Sequence, residues 1–192
     1  MKWVVVAILV CIVPFTYLTL RYRKTAPAFR PYEDMKNRAN TSRLLSAGFQ
    51  RIPLSAQRPA DPLGPATSAF IAATGGGLPE ELRTTLVEPP PLPAQITLVS
   101  APARIAAADT YTFRFACTMA DHKREPAGAD LYVKEDRIVI VPDFARISGE
   151  FLARSTENII QLTVPAHTLK PGSYRVTLVG QQASRSWSLT VQ

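Results

Sequence analysis

The sequence predicts an all-β domain behind a membrane anchor. It reads as a sandwich of about seven or eight short strands over residues 95–192, preceded by an apolar N-terminal helix and a proline-rich connector. Three observations lead there. Residues 3–20 carry no charged side chain, and Lys2 and Arg21 close the run. Eleven of the seventeen prolines fall within residues 21–94, a density that resists a compact core. From residue 95 onward apolar residues recur with a period of two, which gives strands one buried face.

The apolar run from Trp3 to Leu20 would span roughly 27 Å at about 1.5 Å per helical residue. That is close to the roughly 30 Å hydrocarbon core of a bilayer. Trp3 sits at one end, with Tyr17 and Tyr22 near the other, where amphipathic rings settle at headgroup level. Pro14 is tolerated in a spanning helix. A cleaved signal would need a small-x-small site after a short apolar core, but the first small residues past the run are Thr25 and Ala26. Lipidation at Cys11 would want a small residue where Val10 stands. The reading is therefore an uncleaved anchor over 1–22 that contacts lipid through residues 3–20.

The net charge is +7. Its excess lies beside the anchor, at Arg21, Arg23 and Lys24 and then Arg30, Lys36, Arg38 and Arg43. Such a flank suits a stop-transfer signal or anionic headgroups. Residues 95–192 hold eleven basic and nine acidic residues, so no basic stripe for nucleic acid is expected. Two arguments about topology conflict. The basic flank favours a cytoplasmic C-terminal domain, whereas a sandwich on a proline-rich stalk is commoner on the exported side. The reading takes the exported, periplasmic face of a single-pass protein.

The connector, 23–94, holds two helix signals. One runs from Tyr32 to Ala47, with Pro31 before it, Glu33 and Asp34 in its first turn, and Gly48 at its end. The other runs from Leu78 to Val87, with Pro79 at its start and Leu78, Leu82 and Leu86 four residues apart. Pro89-Pro90-Pro91 ends it. A purely solvated spacer has little use for Leu44, Leu45, Phe49, Ile52 and Leu54, so this stretch could dock on a membrane partner.

The strands follow in order. Ile96–Val99 comes first, and Tyr111, Phe113, Phe115 and Cys117 alternate next. Leu131 and Val133 precede a turn at Glu135-Asp136, and Arg137–Val141 is stopped by Pro142. Glu150–Arg154 would add a strand. Ile160, Leu162 and Val164 lead into Pro165, and Tyr174, Val176 and Leu178 and then Trp187, Leu189 and Val191 complete the set.

Leu169-Lys-Pro-Gly-Ser-Tyr174 sets a Pro-Gly turn before a strand-opening tyrosine. This resembles the tyrosine corner of immunoglobulin-like sandwiches, which implies that fold and a ring hydroxyl bonded to the preceding loop. Val176 replaces the cysteine of antibody domains. The order of parts, with the ending Pro-Gly-Ser-Tyr and Ser-Trp-Ser-Leu-Thr-Val, also resembles FixH-type accessory proteins of bacterial cytochrome oxidases. That resemblance implies a respiratory membrane complex as partner.

Catalytic chemistry finds little footing. His122 and His167 are the only histidines and lie in loop sequences, short of the three or four ligands of a metal site. Cys117 is in phase with core aromatics, and Gly75-Gly76-Gly77 lacks a phosphate loop's lysine. No cofactor is implied. The expected function is non-enzymatic: a membrane-anchored interaction protein, subunit or assembly factor, with a membrane-protein partner held through connector or sandwich. The alternative is a tethered binding module for a small solute, metal ion or wall polymer at the loop end. Asp121, His122, Asp143 and Trp187 are the candidate contacts there.

Overall fold

A computed structural model describes residues 2–3, 12–17, 31–59, 70–147, 152–153 and 155–192. Two compact units divide the chain, Met1–Asn37 and Arg38–Gln192. In the first, residues 2–3 and 12–17 are helical, and Trp3 and Tyr17 are exposed. Among the described residues no helix is long and apolar enough to cross a membrane. Most of the expected anchor, with Leu20, Arg21, Arg23 and Lys24, lies outside the described residues.

The second unit is all-β in its body, with helices on one outer face. Its elements are β1 (Gln50–Gln57), β2 (Ala72–Gly75), α2 (Glu80–Thr85), β3 (Gln95–Ser100), β4 (Arg104–Ile105), β5 (Tyr111–Thr118), β6 (Arg124–Lys134), β7 (Arg137–Arg146), β8 (Glu157–Val164), β9 (Gly172–Leu178) and β10 (Ala183–Val191). Helix α1 (Pro31–Ser46) precedes them.

Eight strands close on themselves in the order β10-β3-β5-β8-β1-β6-β7-β9, with β9 returning to β10 and β2 and β4 added along β10. The domain is mostly β, as expected, and its strands form a closed barrel with added strands that is not clearly an immunoglobulin-like sandwich. Two pairings make the difference. β7 runs parallel to β9, and β1 lies between β8 and β6. β1 lies in the segment that reads as connector in the sequence, and it is a strand of this barrel. The physical reason is edge closure: β8 and β6 each leave a row of unpaired backbone groups, and an extended upstream segment satisfies both.

Alternation fixes which side chains turn inward. Tyr111, Phe113, Phe115 and Cys117 are buried, while Thr112, Arg114, Ala116 and Thr118 are half-buried on the other face. Leu54, Leu131, Ile140, Leu162, Val176 and Leu189 join them from the other strands. An eight-stranded barrel is just wide enough for such side chains to fill. Within this core the Trp187 indole Nε1–H donates to the Tyr111 hydroxyl at 2.9 Å, so the indole's polar edge is paired. Trp187 is thus a core residue and not a surface contact.

The β3–β10 seam is thin. One parallel bridge joins Ala183 to Gln95. The Arg185 guanidinium supports it by donating from Nε to the Ile96 carbonyl at 3.1 Å, and the Gln95 and Gln182 amides pair at 2.8 Å. At the β1–β6 contact, a Cβ on Gly128 would stand 2.6 Å from the Leu54 carbonyl oxygen, so only glycine fits that close approach.

Strand β7 continues through Pro142 to Arg146, where a stop was expected. β9 pairs with β7 only from Arg137 to Ile140. Beyond that point β7 has a free side, where a missing N–H is tolerated. Of the strand expected at Glu150–Arg154, Leu152 and Ala153 are not in a strand, and the other three residues lie outside the described residues.

A second apolar cluster lies on the barrel's outer face. Leu44 and Phe49 from the α1 end, and Leu82 and Leu86 from the α2 segment, cover Tyr132, Val139, Val141 and Val179. Gly48 has φ 78°. Phe49 N–H donates to the Leu44 carbonyl at 2.8 Å and Gly48 N–H to Leu45 at 3.0 Å. This is a Schellman cap with its apolar contact, and it fixes how the chain leaves α1 for β1.

Leu54→Ala should lower stability by about 2–4 kcal/mol, the cost of a cavity in a packed core. Urea unfolding of the purified chain in detergent measures this. A loss below about 0.5 kcal/mol, as at an exposed tether position, would remove β1 from the barrel.

Candidate functional site

A cleft of about 340 Å³ lies at one end of the barrel. Three segments build it. Pro90, Pro91 and Leu92 form one wall, Met119, Ala120, Asp121 and Arg124 form the second, and Gln181 of the β9–β10 turn closes it. Backbone bonds lock these segments together. Gln181 N–H donates to the Pro93 carbonyl, Ala94 N–H to Thr118, and Met119 N–H to Thr156, at 2.8, 2.8 and 2.9 Å.

The charged groups in the cleft have distinct roles. The Asp121 carboxylate accepts the Lys123 amide at 2.9 Å, capping its own loop. Arg124 opens β6 and stands directly opposite Arg146 of β7. Neither guanidinium has an ion-pair partner among the described residues.

The remaining candidates lie elsewhere. The His122 ring Nδ1–H donates to the Ala153 carbonyl at 2.8 Å, and the Ala153 amide returns a bond to the His122 carbonyl at 2.7 Å. His122 therefore fastens one loop to another and does not line the cleft. Asp143 is exposed on β7, opposite Gly128. Its field adds to that of Asp130 on Arg51, whose Nε and Nη2 grip the Asp130 carboxylate at 2.9 and 2.8 Å. That hydrogen bond, above all, holds the guanidinium above its ordinary range. Burial pushes the neighbouring Tyr132 hydroxyl well above the usual phenol range. Asp121 and Asp143 thus belong to separate groups.

The hairpin tip Lys134–Arg137 is engaged by α2. Glu81 of α2 accepts from Arg137 at 3.1 Å and from Lys134 at 3.3 Å, and the Lys134 ammonium stands 5.0 Å above the Phe49 ring. Tyr174, the predicted corner, donates its hydroxyl to the Lys170 carbonyl at 2.9 Å. Cys117 is buried, and desolvation raises its thiol to about 12. Among the described residues no group of three His, Cys, Asp or Glu is placed to hold a metal ion.

Sequence reasoning missed Arg124, Pro90, Pro91 and Gln181 as one site, and Arg146 as the residue facing Arg124. Register counted from the Glu135-Asp136 turn does not find the pair, since it sets Arg124 opposite Ile147; the bulge between Pro126 and Gly128 brings Arg124 opposite Arg146. Comparison with protein-family models, curated proteins and solved structures returns no match to this chain.

Two outcomes follow. Arg137 and then Lys134 hold the Glu81 carboxyl below its ordinary value of 4.5. The clamp's contribution is therefore complete above pH 4.5 and is lost as pH falls through the lowered folded value. Amide protection factors across Glu80–Leu86, corrected for the intrinsic pH dependence of exchange, should fall in that acid window and hold steady above it, and Glu81→Gln should weaken the dependence. Cys117 should resist iodoacetamide at pH 8 in the folded chain and react fully in urea. Alkylation of Cys117 in the folded chain at a free-thiol rate, mapped separately from Cys11, would contradict its burial.

Proposed function

We propose that this chain is a non-enzymatic, membrane-anchored interaction protein, a subunit or assembly factor of a membrane complex. The supporting observation is that the barrel interior is filled by its own side chains, while an open cleft at its end is lined by Arg124, whose guanidinium has no ion-pair partner among the described residues. A packed barrel binds from the outside, through its surface and loops. In this reading residues 3–20 span the bilayer and the barrel stands on the exported side.

We also read the barrel as an elaborated immunoglobulin-like sandwich. The antiparallel neighbours β3-β5-β8 and β9-β10, the run of β4 parallel to β10, and the Tyr174 corner favour it. β1 and the parallel β7–β9 pairing are then additions. The order of parts supports kinship with FixH-type proteins and a respiratory partner.

A second reading is a tethered module for a small solute, metal ion or wall polymer. Asp121 in the cleft favours it, and the volume falls at the low end for small-molecule sites.

Purification in mild detergent should bring down a stoichiometric membrane partner, and a reporter fused after Gln192 should be active on the exported side only. A chain that runs alone, but whose melting point rises with one solute class, would move the assignment to the second reading.

A further inference from the structure

The cleft's rim carries a charge arrangement that the barrel does not need. Arg124 and Arg146 are direct cross-strand partners. Such partners share a face of the sheet, and like charges there repel. Glu125 cannot relieve them, since it pairs with Ala145 at the next position and so faces the other way. Asp121, the one carboxylate lining the cleft among the described residues, is engaged by the Lys123 amide, and Arg124 in the lining faces Arg146 across the hairpin. A hairpin end with this arrangement gains stability when an external anion fills the gap between the arginines.

The opposite wall says what carries that anion. Pro90 and Pro91 have no amide hydrogen, so their backbone offers acceptors only. Neither carbonyl accepts a hydrogen bond from another described residue. Leu92, with the small exposed part of Met119, adds apolar surface to the cleft lining. An extended peptide suits all three features at once: its N–H groups meet the proline carbonyls, its apolar side chain meets Leu92 and Met119, and an acidic side chain meets Arg124 and Arg146.

We propose that the cleft between Pro90–Leu92 and Arg124 is a docking site for an extended acidic peptide segment of a partner protein, held by its carboxylate between Arg124 and Arg146. This rests on the interaction-protein reading and names its contact surface. The full chain in nanodiscs is panned against a random peptide display library, and recovered peptides are measured by fluorescence anisotropy. Asp- and Glu-rich peptides should be enriched. Their affinity should fall about tenfold in R124Q and in R146Q, fall further at high salt, and be largely kept in R124K. Thermal melts of the variants check that the fold is retained.

Recovered peptides that are not acidic, or binding indifferent to both substitutions, would overturn the proposal. So would saturation by succinate alone with no peptide enriched, which would assign a free carboxylate instead. If no peptide is recovered while a membrane partner still co-purifies, the docking site falls and the interaction reading stands. Acidic peptides lost in R124Q without any co-purifying membrane partner would leave the site standing and sink the membrane-complex reading.

Discussion

The barrel closes because strand β1, supplied from upstream of the rest, pairs with β6 along six positions and with β8 at two. Without it the sheet would end in two open edges, each a template for association with another chain. With it, those backbone groups are satisfied and Leu54 enters the core. The join is tight: Gly128 admits the Leu54 carbonyl only because it lacks a Cβ. Linking β1 to its partners across a long intervening stretch costs little at equilibrium, since loop-closure entropy grows only with the logarithm of length. The cost falls on folding speed, because every pairing β1 makes is non-local.

The helices follow from the same constraint. Once β1 is fixed beside β6, the turn that precedes it is fixed too, and the Gly48 cap directs Leu44 and Phe49 onto the outer face of β6 and β7. Leu82 and Leu86 complete the cover, and Asn40 ties the two segments by accepting the Val87 amide at 2.8 Å. Exposed ion pairs such as Glu81 with Arg137 add modestly to stability. Their use is positional: they set where the chain after α2 emerges, and that chain is the proline wall of the cleft. Propensity alone would not hold a helix as short as α2. Packing against Val139 and Val179 does.

The sequence showed its strands wherever alternation was strong and proline marked the end. β5, β8, β9 and β10 were legible for that reason, as were the Glu135-Asp136 turn and the Gly48 helix end. β1 was hidden although Ile52, Leu54 and Ala56 are in phase. Pro53 interrupts the run, and the surrounding proline density argued for a stalk. Proline is acceptable there because that half of β1 has β6 alone as neighbour. Pro142 misled in the same way at the far end of β7. A one-dimensional reading treats proline as a stop, whereas the sheet needs only a side with no partner. The cleft was illegible for another reason: its walls come from three distant segments, and only closure of the barrel brings them together. Asp121 was picked out and does line it, while His122 and Asp143 serve other contacts.

A tether that leads into the closing strand is not a passive stalk. If residues 3–20 span a membrane as proposed, the segment linking them to the domain passes through α1 and the Gly48 turn into β1. Only the turn and Phe49 lie between that helix and a strand the barrel cannot lose. Severing the chain after β1 and severing it before α1 would then differ in kind. The first removes the strand that pairs β8 and β6, and the second leaves the barrel whole. This makes the connector two things in sequence, a linker as far as α1 and a structural member afterwards. It also accounts for part of its mixed composition, since Leu44, Phe49, Leu54, Leu82 and Leu86 belong to the two cores.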